Sequence, residues 1–138
     1  MARKLAFVFG IVFAIVVAVG YVPDFITSRQ GEERTLFDLF AISLLDDITH
    51  GISAVALLAA SLHSRRASVL ALTAFGWYYA LDAVFFLTYG LFNDKPYMAD
   101  IMLNLPHVVT AGIMLGAVYF VPPSAVPVPP PRASAHGA

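Results

Sequence analysis

The 138-residue sequence contains no cysteine, which excludes disulfide bonds, thiolate metal sites and thiol redox chemistry. Charge is also scarce, because charged residues make up 12% of the chain, where a soluble domain has about a quarter. The net charge of −1 gives no argument for a nucleic-acid partner. Apolar residues reach 59% and the mean hydropathy is +0.79, an apolar content that a bilayer accepts and a small water-soluble domain does not.

Four apolar stretches are long enough to cross a bilayer, which takes about 20 residues of helix. They lie at residues 5–22, 44–62, 68–91 and 101–121. The basic start of the first stretch resembles a signal peptide, but its length and the lack of a small-residue cleavage motif favour an anchor or an ordinary span. The sequence therefore predicts an all-α integral membrane four-helix bundle in residues 1–121. A disordered, proline-rich tail is predicted in residues 122–138.

The distribution of lysine and arginine predicts the orientation of the bundle. If four spans alternate, the N-terminal side carries Arg3, Lys4, Arg65, Arg66 and Arg132. The opposite side carries fewer basic residues, namely Arg29, Arg34 and Lys95, together with every acidic residue except Asp82. We therefore expect a multi-pass protein of the cell membrane with both termini in the cytoplasm.

The second and fourth spans open with similar motifs, Asp-Ile-Thr-His at residues 47–50 and Asn-Leu-Pro-His at residues 104–107. Asp and Asn are favoured N-cap residues, so Asp47 and Asn104 are predicted to cap these helices. Pro106 would then lie in the first turn, where its missing N–H is harmless. The repetition predicts two hairpins in a parallel pseudo-repeat, related by an axis along the membrane normal.

The order of these motifs resembles the small bacterial four-helix membrane proteins grouped as domain of unknown function 4383. The first span ends in Gly-Tyr-Val-Pro at residues 20–23, a Leu-Phe-rich stretch follows at residues 36–40, and two later spans open with an Asn-x-x-His type of motif. The resemblance covers residues 10 to about 120. It implies a four-helix membrane fold and no activity. The sequence departs from the family pattern by Asp46 and Asp47 in place of the commoner Asn, and by Pro106.

Ionisable side chains inside spans are the candidates for chemistry, because they are costly in a membrane. Asp82 lies about 13 Å from the outer end of the third span, at about 1.5 Å per residue. His50 and His107 lie one to two turns from the outer ends of their spans. We expect these three side chains to meet, surrounded by Asp46, Asp47, Asn104 and Tyr78. Helical spacing also predicts an aromatic face around Asp82, formed by Tyr78, Tyr79, Phe85, Phe86 and Tyr89.

Four roles are open for this cluster. It is structural if the polar groups only bond neighbouring helices, each bond contributing under about 1 kcal/mol. It is a metal or haem site if His50, His107 and Asp82 bind iron, zinc or a porphyrin. It is a proton or small-solute pathway if Asp82 titrates between the histidines. The protein is an accessory subunit or homo-oligomer if the Gly-x-x-x-Gly at residues 112–116 packs against another helix.

Enzyme motifs are missing from the sequence: it has no phosphate-binding loop, no nucleophile elbow and no His-Glu-x-x-His. We therefore expect a non-enzymatic membrane protein, structural or accessory in role. No resident cofactor is expected, with haem or a divalent metal ion as the alternative.

Overall fold

Four helices make up most of the molecule. The structure, a computed structural model, describes residues 1–27, 34–37, 40–92 and 97–120. Its helices are α1 (Ala2–Val19), α2 (Leu44–His63), α3 (Arg65–Phe92) and α4 (Tyr97–Tyr119). The predicted helical class is confirmed, whereas the predicted tail in residues 122–138 lies outside the described residues.

Within the described residues, three helices are long and apolar enough to cross a membrane: α1, α2 and the part of α3 from Arg65 to Tyr89. Large apolar side chains on all three are exposed, among them Ile15, Val55 and Leu81. A water-soluble protein rarely exposes so much contiguous apolar surface, but lipid chains solvate it without penalty. The chain is therefore a membrane protein, and a fourth span in α4 stays a prediction.

The helices form two antiparallel hairpins, α1 with α2 and α3 with α4, and α3 also contacts α1 and α2. Ser64 alone joins α2 to α3, and its hydroxyl accepts the backbone N–H of Ala67. The N-cap of α2 is Ser43, whose hydroxyl accepts the N–H of Asp46 while the Asp46 carboxylate accepts the N–H of Ser43. The predicted cap by Asp47 is therefore wrong, because the capping box starts the helix four residues earlier.

The start of α4 also differs from the sequence prediction. The helix begins at Tyr97, so Asn104 and Pro106 lie in its interior rather than at its cap and first turn. Pro106 has no N–H to donate to the carbonyl four residues before it, which removes one helical hydrogen bond. Helices in membranes tolerate such a proline where neighbouring groups satisfy the freed carbonyl. The helical stretch before Asn104 made the local cap signal misleading.

A small antiparallel sheet joins α1 to α2, a feature that the helical prediction missed. After a 3-10 turn at Pro23–Phe25, the strands are β1 (Ile26–Thr27), β2 (Arg34–Leu36) and β3 (Phe40–Ile42). They pair in the order β1-β2-β3, and Leu36 and Ile42 are buried. We call this end of the molecule the sheet end. The opposite end, which holds Arg3, Lys4, Arg65 and Arg66, is the arginine end.

The two hairpins repeat each other residue by residue. A methyl group added at Gly10 would lie 2.6 Å from Cγ of Leu58, and one at Gly76 would lie 2.9 Å from Cγ of Leu115. Further equivalent pairs are buried alike in the core: Ala6 and Leu72, Phe13 and Tyr79, Asp47 and Asn104, Ala54 and Ala111, and Leu57 and Met114. The predicted repeat of two hairpins is confirmed, and it extends well beyond the His motifs that indicated it.

The core changes character along the bundle. Toward the arginine end it has an apolar layer, with Ala6, Leu57, Leu72 and Met114 all 0% exposed, and the buried hydroxyls of Ser61 and Ser68 lie beyond that layer. Toward the sheet end it holds the buried polar side chains Asp47, Ser53 and Asn104. The repeat thus places both histidines in the polar half of the molecule.

Candidate functional site

Asp82 of α3 and His107 of α4 form a close polar contact between these helices. Nδ1 of His107 lies 2.9 Å from Oδ2 of Asp82, and both side chains are mostly buried. Each residue lies about 15 Å from the sheet end of its helix, at about 1.5 Å per residue. The pair is an ion pair when the imidazole is protonated. When the imidazole is neutral, the pair carries one proton fewer.

His50 of α2 completes the group that the sequence predicted. Its ring centroid lies 6.2 Å from that of His107 and 6.1 Å from that of Tyr79, and the Tyr79 and His107 centroids are 5.5 Å apart. The structure therefore brings together the three predicted residues, and adds Tyr79. We call His50, Tyr79, Asp82 and His107 the histidine cluster.

Two nitrogen atoms of the cluster lack a well-directed hydrogen bond. Among the described residues, Nδ1 of His50 and Nδ1 of His107 are the buried side-chain polar atoms without a hydrogen-bond partner. For His107 the Asp82 oxygen is at ion-pair distance, but its direction from the imidazole plane does not suit a hydrogen bond.

Tyr79 holds the cluster to α2 through Ser53. The Ser53 hydroxyl lies 2.8 Å from the carbonyl oxygen of Thr49 and 2.9 Å from the Tyr79 hydroxyl. A hydroxyl has one proton, so Ser53 donates to Thr49 and accepts from Tyr79. Phe13 of α1 stacks against Tyr79 and His50 at centroid distances of 5.1 and 5.5 Å. All four helices therefore contribute to the site.

Ser53 and Phe13 were missed by the sequence analysis. Ser53 follows His50 by three residues, on the same helical face, and Phe13 is the repeat equivalent of Tyr79. Helical spacing from His50 was thus a usable signal for Ser53. The signal for Phe13 was the repeat, once it is extended from α2 and α4 to α1 and α3.

The residues predicted around the cluster lie in different places. Asp46 belongs to the capping box of α2, and Asp47 pairs with Arg34, while both carboxylates lie near enough to His50 to interact with it electrostatically. Asn104 is buried one turn before His107. Tyr78 is 45% exposed and contacts the cluster through an edge-on contact with Tyr79.

The predicted aromatic face around Asp82 is wrong for every residue except Tyr79. Only Tyr79 turns inward, at 2% exposure, whereas the other four side chains are exposed: Tyr78, Phe85, Phe86 and Tyr89. Phe85 packs against Phe86 and Tyr89 on the outside of α3. Helical spacing placed these residues near Asp82 in sequence but did not decide which of them point into the bundle.

Arg34 of β2, which the sequence analysis assigned to a loop, makes half-buried contacts at the sheet end. Its Nη2 donates to the carbonyl oxygen of Gly20 and to Oδ2 of Asp47, both at 3.1 Å. The guanidinium also lies over the Tyr21 ring, 5.2 Å from its centroid. One cation thus binds the C-terminal end of α1 and the N-terminal turn of α2, where a positive charge suits the carbonyl end of a helix.

The described residues do not fit the predicted metal or haem site well. Among them, no group of three or more His, Asp or Glu side chains is arranged to hold a metal ion. The Tyr79 ring packs against both imidazoles, and Phe13 packs against Tyr79, so a porphyrin between the histidines would displace both rings. Metal binding by His50, His107 and Asp82 stays a prediction without a ligand geometry to support it.

The comparisons with known proteins identify a family. Neither the curated proteins nor the solved structures contain a match to this chain. A family model described as Domain of unknown function (DUF4383) matches residues 3–121, which is most of the chain and includes all four helices. The resemblance inferred from the sequence motifs is therefore confirmed, and the chain belongs to the family of domain of unknown function 4383.

Proposed function

We propose that this protein is a non-enzymatic, proton-responsive membrane module that binds and releases a proton at the Asp82–His107 pair. The 2.9 Å contact between Oδ2 of Asp82 and Nδ1 of His107 supports this role, because it joins a carboxylate and an imidazole across two helices. Imidazole is the side chain whose charge changes between about pH 5 and 8. A change of charge at the contact between α3 and α4 alters how these helices attract each other.

The repeat supports a special role for this pair. The first hairpin has Val16 at the position equivalent to Asp82, so His50 has no matching carboxylate on its neighbouring helix. Since Val16 is accommodated there, the fold does not need an acid at this position. The second hairpin keeps a carboxylate beside its histidine although ionisable groups are costly in a membrane.

In this proposal, the proton reaches and leaves the pair from the sheet end. The protein does not conduct protons across the membrane. Polar side chains continue from the cluster toward the sheet end, through Asn104 and Asp47. Toward the arginine end, the fully buried apolar core lies in the way. The side chains of that layer, Ala6, Leu57, Leu72 and Met114, have no group that relays a proton.

The experiment measures the protonation of each histidine ring by NMR, on full-length protein labelled in its four histidines and held in lipid nanodiscs. We expect the ring signals of His107 to change with pH, because the proposed proton binds between this ring and the Asp82 carboxylate. In Asp82→Asn the midpoint of that change moves, whereas in the control Asp24→Asn, which removes an exposed acid outside the helical spans, it does not. Asp82→Val, which copies the first hairpin, serves if Asp82→Asn does not fold.

Two outcomes would overturn the proposal. A His107 ring with the same protonation from acid to alkaline pH in the wild type would remove the proton-binding step. A proton flux in proteoliposomes that exceeds that of empty vesicles, and that Asp82→Asn abolishes, would replace the sensor by the proton pathway. Equal flux in wild-type, variant and empty vesicles agrees with the sealed arginine end.

We place the arginine end in the cytoplasm, because lysine and arginine are enriched on the cytoplasmic side of membrane proteins. The lack of cysteine makes the test direct, since one introduced cysteine is the only thiol. In intact cells, an impermeant maleimide is expected to label Asp24→Cys at the sheet end and not Arg66→Cys at the arginine end. Labelling in the opposite pattern would reverse the orientation.

An accessory role in a larger membrane complex or a homo-oligomer is the second candidate. A methyl group added at Gly112 or Gly116 of α4 would meet no atom within 4 Å in the described residues, so this Gly-x-x-x-Gly does not pack the bundle. Such a surface accepts another helix closely. Cross-linking in native membranes is expected to capture a partner or second copy that Gly112→Leu loses. Capture that Gly112→Leu leaves unchanged would exclude this surface.

A further inference from the structure

A groove of about 680 Å³ lies at the arginine end, between the start of α1 and the junction of α2 with α3. Its basic residues are Arg3, Lys4 and Arg65, and its apolar wall includes Phe7, Val8 and Leu62. The groove is open along one side to the surface of the molecule. Arg65 of the groove precedes Asp82 of the histidine cluster by 17 residues of α3, and the proton-binding role does not use the groove.

Arg3 is fixed in place at the floor of this groove. Its Nε donates to the carbonyl oxygen of Ser61 at 2.7 Å, and its Nη2 donates to that of Leu62 at 3.2 Å. These carbonyls belong to the last turn of α2, which favours a cation. A guanidinium has five N–H groups, so three remain after these two bonds. The side chain is thus positioned without being saturated.

Lys4 and Arg65 supply mobile positive charge beside this fixed guanidinium. Both side chains are exposed, and the described residues place no carboxylate within ion-pair distance of either. The acidic side chains of the described chain lie at the sheet end or in the histidine cluster, at the other side of the apolar core. The groove therefore has an uncompensated positive charge next to an apolar wall.

We propose that this groove binds an anionic phospholipid, with its phosphate on Arg3, Lys4 and Arg65 and one acyl chain along Phe7, Val8 and Leu62. The charge of the groove is complementary to a phosphate, and guanidinium groups bind phosphate oxygens through paired N–H donors. Basic pockets between spans at the membrane surface are suited to such head groups. The apolar wall continues into the lipid-exposed surface of α1, so an acyl chain reaches it without leaving the bilayer.

The test is native mass spectrometry of the full chain in detergent, titrated with phosphatidylglycerol, which gives the Kd of the first bound lipid. The Lys4→Gln, Arg65→Gln double variant is expected to bind roughly 30-fold more weakly, at about fivefold for each charge removed. Arg66→Gln is the matched control, because Arg66 is the neighbouring cation at the same end and does not line the groove. It is expected to bind within about twofold of the wild type.

Three results would overturn the proposal. If Arg66→Gln weakens binding by about fivefold, as expected for one charge removed from the groove, the attraction is a diffuse effect of the basic end and not a groove. If phosphatidylcholine binds as tightly as phosphatidylglycerol, the positive charges do not select the lipid. If glycerol phosphate alone binds as tightly as the lipid, the apolar wall contributes nothing and the groove is a site for a soluble anion.

Folding of the variants is checked separately from binding. Lys4 and Arg65 are exposed and make none of the hydrogen bonds that hold α1 to α2, so the double variant is expected to keep the wild-type circular dichroism spectrum and unfolding temperature. Arg3 is left unchanged in these variants, because its hydrogen bonds to Ser61 and Leu62 hold α1 to α2. Loss of binding in a folded double variant therefore reports on the groove itself.

Discussion

The guanidinium of Arg34 lies 3.1 Å from the carboxylate of Asp47, a side chain that is only 6% exposed. The same nitrogen donates to the carbonyl oxygen of Gly20. A carboxylate this deeply buried needs a partner, because an isolated buried charge is strongly unfavourable. Arg34 therefore neutralises Asp47 and fastens the sheet to the adjoining ends of α1 and α2.

Replacing Arg34 by glutamine is expected to lower the free energy of unfolding by about 1–3 kcal/mol. Breaking a buried pair costs about 3–5 kcal/mol, but Arg34 is 35% exposed, and solvent screening reduces the effect. The measurement is equilibrium unfolding in detergent. The Arg34→Gln, Asp47→Asn double variant should recover part of the loss, since no charge is then left buried. A double variant as unstable as the sum of both single changes would show that the two groups are not coupled.

Tyr79→Phe is expected to lower the free energy of unfolding by about 0.5–1.5 kcal/mol, because Ser53 loses the hydrogen bond that it accepts. Ser53 keeps its bond to the Thr49 carbonyl, which limits the loss. The neighbouring Tyr78 offers a matched control, since it carries the same hydroxyl at 45% exposure. Equal effects of Tyr78→Phe and Tyr79→Phe in equilibrium unfolding would contradict the assignment of Tyr79 as the inward residue.

Gly10→Ala is expected to lower the free energy of unfolding by about 1–3 kcal/mol, as overpacking of a tight contact does. The added Cβ would lie 2.6 Å from Cγ of Leu58 and 3.0 Å from its backbone nitrogen, so a side-chain rotation does not relieve it fully. Gly112→Ala is the control on α4, where the added methyl group meets no described atom within 4 Å. A stability loss at Gly112 as large as that at Gly10 would mean that α4 packs differently.

The single tryptophan reports on insertion into the bilayer. Trp77 lies near the middle of α3 and is 51% exposed, and its indole N–H donates to the Tyr119 hydroxyl of α4 at 3.3 Å. We expect its fluorescence to be quenched more by lipids brominated near the ends of their acyl chains than by lipids brominated near the head group. The opposite order would place α3 along the membrane surface. Phosphatidylcholine without bromine gives the unquenched reference.

The sequence by itself determined the class and the helical organisation of this protein. The length and apolar content of residues 5–22, 44–62 and 68–91 are local properties, and they predicted helices that begin or end within a few residues of α1, α2 and α3. The two His motifs predicted the hairpin repeat, because equivalent positions in a repeat meet equivalent surroundings. The positions of His50, Asp82 and His107 within their spans also predicted that these side chains meet, since depth along a helix follows from counting residues.

The ends of the helices were less predictable. Ser43 rather than Asp47 caps α2, and Asn104 and Pro106 lie inside α4, although both motifs match favoured capping patterns. A capping motif indicates that a helix can start at a residue. It does not indicate that the preceding residues cannot extend that helix. The sheet between α1 and α2 was missed because its strands are two or three residues long, and they are stabilised by pairing rather than by their own pattern.

Only the tertiary structure decided which faces turn inward and which polar groups pair. In a water-soluble helix the apolar face marks the core, but here lipid and core are both apolar, so hydrophobicity does not separate Tyr79 from Tyr78. The partner of Asp47 is Arg34 on a strand, a contact set by how the sheet folds back over the helix ends. The length of the apolar stretches determined that the chain enters the membrane. Only the packing of the helices determined which side chains face one another inside it.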